Sequence, residues 1–164
     1  SGKRAEIGKE LTERLLDTGT VLNTLSMRLL WDSVFGAKGK SRKVEEAIPI
    51  RTPWLRKALK RDRITDDGVW GCNFSLYKDL FYAINGCDEE FVDGSIEDND
   101  IGIRVLNQGK QLKTVRHRAV IFHLWHQSTW NFNNEKYQHN KAILQKRIEN
   151  REKVCRRGIR RLEE

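Results

Sequence analysis

Apolar residues first recur at helical spacing. Leu11, Leu15 and Leu16 precede Gly19, which predicts a short helix stopped by a glycine cap. Leu22, Leu25 and Leu29 continue the rhythm and predict a second amphipathic helix over 20–34. Residues 35–53 interrupt it with Gly36, Gly39 and Pro49 among lysines, the pattern of an exposed, mobile loop. Thr52-Pro53-Trp54-Leu55 then opens a third, strongly basic helix with proline in its first turn. From Gly68 the character changes: Val69-Trp70-Gly71-Cys72-Asn73-Phe74-Ser75 predicts a short buried strand, where Gly71 permits close backbone approach by a ligand. A helix is expected over 78–85, with Leu80, Phe81 and Ile84 inward and Gly86 as terminator. The next helix, capped by Ser95 or Asp93, runs to Asn107 and ends at Gly109. Strands are expected over 111–115 and 118–125, and one or two polar helices over 134–162. The expected fold is mixed α/β, with more helices than strands.

At 164 residues the chain has the length of one domain with a real core. With five tryptophans and six phenylalanines it is too aromatic for a disordered chain. A membrane-spanning helix needs about 20 apolar residues, and no run approaches that. The N-terminus has no apolar stretch behind Ser1-Gly2-Lys3-Arg4, so no signal peptide is visible. Cys72, Cys87 and Cys155 lack metal-type spacing; Cys72 and Cys87 are expected as buried thiols in a reducing compartment.

The formal charge of +8 calls for an anionic partner or surface. Positive charge lies in two blocks, Lys38 to Arg63 and Lys146 to Arg161, with residues 86–100 acidic between them. A nucleic-acid binder more often spreads its positive face over the whole fold, so nucleic acid is not the expected partner.

Candidate chemistry concentrates in Ser95-Ile96-Glu97-Asp98-Asn99-Asp100-Ile101-Gly102-Ile103-Arg104. Local rules account for part of it. Ser95 and Asp98 have capping-box spacing, the helix dipole favours first-turn acids, and Asp100 can pair with Arg104 on the surface. Yet a cap needs one or two carboxylates, and this turn holds Glu97, Asp98 and Asp100 behind the acidic loop 88–94. Such a cluster suits a general base that takes a proton from a hydroxyl nucleophile. His123 and His126 converge on one ion only if their strand ends near Leu124, because i and i+3 face opposite sides of a continuing strand. His117 and His139 are expected at the surface.

In order, these features resemble the C-terminal half of GT-A glycosyltransferases: Gly71–Ser75, then Ile84-Asn85-Gly86-Cys87-Asp88-Glu89-Glu90-Phe91, then Glu97-Asp98-Asn99-Asp100 with Arg104, then Gly109, then His123-Leu-Trp-His126. The nearest resemblance is to bacterial family-two enzymes of lipopolysaccharide and capsule synthesis and to the galactosyltransferase C-terminal region. It covers residues 68–127 well and 3–67 loosely. It implies an inverting, metal-dependent hexosyltransferase that moves a sugar from a nucleotide-diphosphate donor to a glycan or glycolipid acceptor. Asp98 would be the base and Glu97 would orient it or hold the acceptor. His126 or His123 would complete the shell of a Mn²⁺ or Mg²⁺ on the donor diphosphate. Gly71, Asn73, Asp93, Trp125 and Trp70 would line the substrate site. The tryptophan of the family's loop before the paired acids is absent from Val92-Asp93-Gly94-Ser95-Ile96.

The resemblance also implies a division of the chain into a basic helical segment (1–67), catalytic motifs (68–127) and a C-terminal basic helix (128–164). The family's nucleotide-binding half would precede Ser1, with residues 3–7 continuing one of its strands. The implied location is cytoplasmic, with the basic blocks in peripheral contact with the anionic inner face of the cytoplasmic membrane. The competing possibility is a non-catalytic basic module for nucleic acid or membrane. The isolated chain is expected to be inactive and to hold nucleotide weakly: calorimetric titration with UDP and Mn²⁺ should give weaker than micromolar affinity, and micromolar affinity would contradict that expectation.

Overall fold

A computed structural model describes residues 2–19, 27–36, 39–61, 64–65, 68–93, 95–127 and 133–162. In chain order the elements are β1 (Ala5–Glu6), α1 (Lys9–Thr18), α2 (Met27–Phe35), a 3₁₀ turn (Val44–Ala47) and α3 (Pro53–Ala58). Then come β2 (Ile64–Thr65), α4 (Lys78–Ala83), α5 (Glu97–Asn107), β3 (Leu112–Lys113), β4 (Phe122–His123) and α6 (Glu135–Glu149). The fold is mixed α/β, helix-rich with a few short strands. No helix among the described residues is long and apolar enough to cross a membrane.

The chain forms two compact units, one of residues 2–63 with 114–128 and the other of 64–113 with 129–164. In the first, β1 and β4 pair in parallel, with Ala5 opposite Phe122 and Glu6 opposite His123. Ala5, Ile7, Leu11, Leu15, Leu29 and Ala47 form its core. α1 ends where predicted, at Gly19 in the left-handed region (φ 61°). α3 begins with Pro53 as expected, and α2 begins at Met27; residues 20–26 of the expected second helix lie outside the described residues.

The expectation of an exposed loop over 35–53 is corrected: Ser41, Glu46 and Ala47 are buried. Arg116 grips the Glu46 carboxylate with two nitrogens, one of them Nε at 3.0 Å from Oε2. His117, expected at the surface, is buried with Nδ1 2.8 Å from Ile48 O. Arg56, on the strongly basic helix α3, is fully buried; it donates to the carbonyls of Ile50, Arg61 and Arg116. A guanidinium can be buried this way because its fork of donors meets several backbone acceptors at once.

In the second unit, β2 and β3 pair antiparallel. Val69, Ile84, Ile101, Val105 and Leu112 form the core. The predicted strand over 69–75 is instead a turn closed by Asn73 N–H donating to Trp70 O at 2.9 Å. α6 stops at Glu149, well short of residue 162. The tail after it makes a bridge between Arg157 and Arg161 and lays Gly158 against Asn85, leaving no room there for a Cβ.

The cysteine expectation is reversed. Cys72 and Cys87 are exposed, and Cys155 is the buried thiol, 3.4 Å from Asn85 O. Burial pushes the Cys155 thiol up to about 11. Because the thiolate is the reactive form, a native-state thiol titration should label Cys72 and Cys87 quickly and Cys155 only after unfolding. Three equally fast thiols would contradict this packing.

Candidate functional site

The acidic turn sits on α5, whose inward face is unusual. Ile101 and Val105 pack into the core beside Asp100 and Arg104, both 0% exposed. The surface pair expected of Asp100 and Arg104 is therefore a buried one. Arg104 Nη2 lies 2.6 Å from Asp100 Oδ2, and its Nη1 donates to Ile84 O at 2.5 Å and Gly86 O at 2.8 Å. Arg147 of α6 completes the group, with Nε 2.7 Å from Asp100 Oδ1 and Nη2 2.5 Å from Asp88 Oδ2. Two carboxylates and two guanidiniums thus balance in the interior. Burial pushes the Asp100 carboxyl above its ordinary range, while Arg104 and Arg147 pull it back.

Ahead of this anchor, the chain enters the helix through Ile96, in the left-handed region at φ 58°. For a β-branched residue that conformation is strained and persists only where its surroundings enforce it. They do so through Asn140 of α6, which is fully buried. Its Oδ1 accepts from Val92 N at 3.1 Å; its Nδ2 donates to Val92 O at 2.8 Å, Ser95 O at 3.0 Å and Ser95 Oγ at 2.6 Å. Ser95 is thus engaged by Asn140, and α5 has no side-chain cap; the capping-box expectation fails. Asn140 and Arg147 are seven residues apart, two turns along one face of α6. They hold loop 88–100 at Asp88, at Val92, at Ser95 and at Asp100. Asp93 is exposed and meets Lys136 Nζ at 2.7 Å.

Asp98 is held by backbone donors. Its Oδ2 accepts from Gly71 N at 2.7 Å and its Oδ1 from Asn99 N at 2.8 Å. A Cβ at Gly71 would stand 3.3 Å from Oδ2. The close approach to Gly71 expected of a ligand is made instead by the Asp98 carboxylate. Asn73 and half-exposed Trp70 belong to the same turn. Next to Asp98, Glu97 Oε2 is buried and has no hydrogen-bond partner among the described residues. Such orphaned carboxylate oxygens are rare, and ligand or proton traffic is one reason to keep one.

The imidazoles belong to the other unit. β4 ends at His123, as convergence requires, and the rings of His123 and His126 lie edge to face with centroids 5.1 Å apart. Two imidazoles on one divalent ion, each at about 2.1 Å, bring their ring centres to about that separation, so the pair fits two ligand positions. Desolvation first, then Arg4 and His126, lowers the His123 pKa, which favours the neutral ring that metals bind. Among the described residues, no three His, Cys, Asp or Glu side chains gather as a complete metal set. Trp125 is half-exposed; its backbone N–H donates to Thr12 Oγ1 at 2.9 Å, and Lys9 Nζ stands 4.8 Å over its ring. His139 is exposed, as expected.

Hydrophobic patterning missed Asn140, Arg147 and Asp88, because their burial is polar; only the seven-residue spacing of Asn140 and Arg147 hinted at a shared face.

Residues 60–127 match the family described as the N-terminal domain of galactosyltransferase. The match supports a glycosyltransferase-like domain, and with it a sugar donor and an acceptor in general terms. No curated protein and no solved structure matches the chain significantly.

Asn140→Leu should lower stability by about 2–4 kcal/mol, since it strips partners from several backbone groups of the loop. Faster amide exchange at residues 92–97 should accompany a lower denaturation midpoint; an unchanged midpoint would contradict the clamp. His123 should titrate below the ordinary 6.5 in histidine NMR spectra. The unfolded chain then binds this proton more readily than the fold. The His123 contribution to stability is therefore complete above 6.5 and is lost as pH falls through the folded value. A midpoint for His123 above 6.5 would reverse that sign.

Proposed function

We propose that this chain is the acceptor-side part of an inverting, metal-dependent GT-A hexosyltransferase of the galactosyltransferase C-terminal type. Its donor would be a nucleotide-diphosphate sugar, and its acceptor a glycan or glycolipid of bacterial lipopolysaccharide or capsule synthesis at the cytoplasmic membrane face. The observation that carries this reading is Asp98, fixed on backbone donors at the front of α5 beside Glu97, within the segment matched to galactosyltransferases.

The chemistry needs one proton acceptor aimed at a hydroxyl. Asp98 removes the proton from the acceptor hydroxyl as that oxygen attacks the anomeric carbon. The bond from that carbon to the diphosphate oxygen breaks on the opposite face, and the nucleoside diphosphate leaves with the electron pair. Glu97, whose Oε2 has no partner among the described residues, orients the acceptor hydroxyl toward Asp98. The turn Trp70–Asn73 flanks the same carboxylate and supplies the substrate wall, with Asp93 at the loop ahead of it. His123 and His126 are the residues that would hold a Mn²⁺ or Mg²⁺. When bound, that ion would neutralise charge on the departing diphosphate.

Hexose transfer from UDP-galactose with Mn²⁺ to a glycolipid extract, followed by mass spectrometry in the full-length protein, tests the reading. Asp98→Asn should reduce transfer by about a hundredfold or more while leaving donor binding intact. Turnover like that of the wild type in this variant removes Asp98 from its role.

A further inference from the structure

The face of α2 that points away from its unit is apolar from end to end. Met27, Leu30, Trp31, Val34 and Phe35 recur at helical spacing and are between 46% and 76% exposed. The opposite face carries Leu29 into the core and Asp32 inward, where its Oδ2 accepts from Ser41 N at 2.9 Å and Ser41 Oγ at 2.5 Å. The normal order of an amphipathic helix is thus inverted: the only carboxylate of α2 is buried and the large apolar side chains face out. Trp31 and Phe35 stack as a pair with centroids 4.4 Å apart. Between α1 and α2 lies a cavity of about 590 Å³, walled by Leu11, Leu15, Met27, Trp31 and Phe35.

The charge around this stripe selects among possible occupants. Exposed Arg28 stands in its first turn, and Lys40 Nζ donates to Val34 O at 2.7 Å, which brings an ammonium to its other end. On the α1 side Arg14 is paired with Glu10. The outward face of α2 therefore presents apolar groups and cations, with no carboxylate. A second copy docked by two-fold symmetry would set these cations against each other without a counter-charge. An anionic bilayer supplies both missing parts, hydrocarbon for the stripe and phosphate for its ends; tryptophan, phenylalanine and basic residues are what interfacial helices use.

We propose that α2 is a membrane-docking helix. It beds Met27, Leu30, Trp31, Val34 and Phe35 into the interfacial layer of an anionic bilayer, with Arg28 and Lys40 on lipid phosphates. The membrane contact expected from the basic blocks is thereby assigned to a different element. Lys43 and Arg42 of the first block are paired with Glu6, and Arg56 is buried. The assignment is independent of the glycosyl-transfer reading.

Co-sedimentation of the full chain with vesicles of equimolar phosphatidylcholine and phosphatidylglycerol, against phosphatidylcholine alone, tests it. The wild type should bind the anionic vesicles more tightly. Trp31→Ser with Phe35→Ser should weaken that binding by about tenfold or more, and Arg28→Glu with Lys40→Glu should abolish the preference for phosphatidylglycerol. The conservative Trp31→Phe keeps the fold testable. Subtracting its fluorescence from that of the wild type isolates one of five tryptophans, and brominated lipid should quench that difference signal. The proposal is overturned if the wild type binds neither vesicle, if the aromatic variant binds as well as the wild type, or if the Trp31 signal escapes quenching. It is also overturned if the wild type is a dimer in solution that the aromatic variant splits.

Discussion

Asp100 and Arg104, buried together on α5 and locked by Arg147 to Asp88, hold the second unit in register. Burying four charges is expensive, and the arrangement stands only because each guanidinium meets a carboxylate and Arg104 also reaches backbone carbonyls. The quartet joins three separate stretches of sequence: the turn after α4, the first turns of α5, and α6. Removing any one member leaves an uncompensated interior charge. This makes the group a constraint on the fold as much as a source of stability.

The same constraint divides labour within the acidic turn. Asp100 faces inward and is consumed by structure. Asp98, two residues earlier, meets backbone donors near the surface, and Glu97 keeps one oxygen without a partner among the described residues. The strained backbone of Ile96 and the clamp of Asn140 on Val92 and Ser95 fix the approach to that turn. A run that looks like three equivalent acids is thus one anchor and two candidates for chemistry. α6, polar and outside the matched segment, supplies both fasteners.

Features written in local spacing were legible in the sequence. Gly19 stops α1, Pro53 opens α3 and Gly109 follows α5. What was hidden is burial of polar groups, which local spacing does not encode. Asp100 and Arg104 four residues apart look the same on a surface as inside, until Arg147 arrives from another helix to balance them. Arg56, His117 and Asn140 were missed for the same reason. Cys72 and Cys87 went wrong because the stretch around Cys72 is a turn, and the thiol that packs inside is the one in the basic tail. The acidic turn was singled out through the order of motifs, since helix capping explained its acids about equally well.

The division between Asp98 and Asp100 is the central claim, and thermal denaturation of Asp98→Asn beside Asp100→Asn tests it without knowledge of donor or acceptor. Asp98→Asn should melt within a degree or two of the wild type, because its contacts are near the surface and an amide oxygen can still accept from Gly71 (about 0.5 kcal/mol). Asp100→Asn should melt about 10 °C lower, the cost of leaving two guanidiniums short of charge in the interior. Equal losses in the two variants, or a larger loss for Asp98→Asn, would contradict the account.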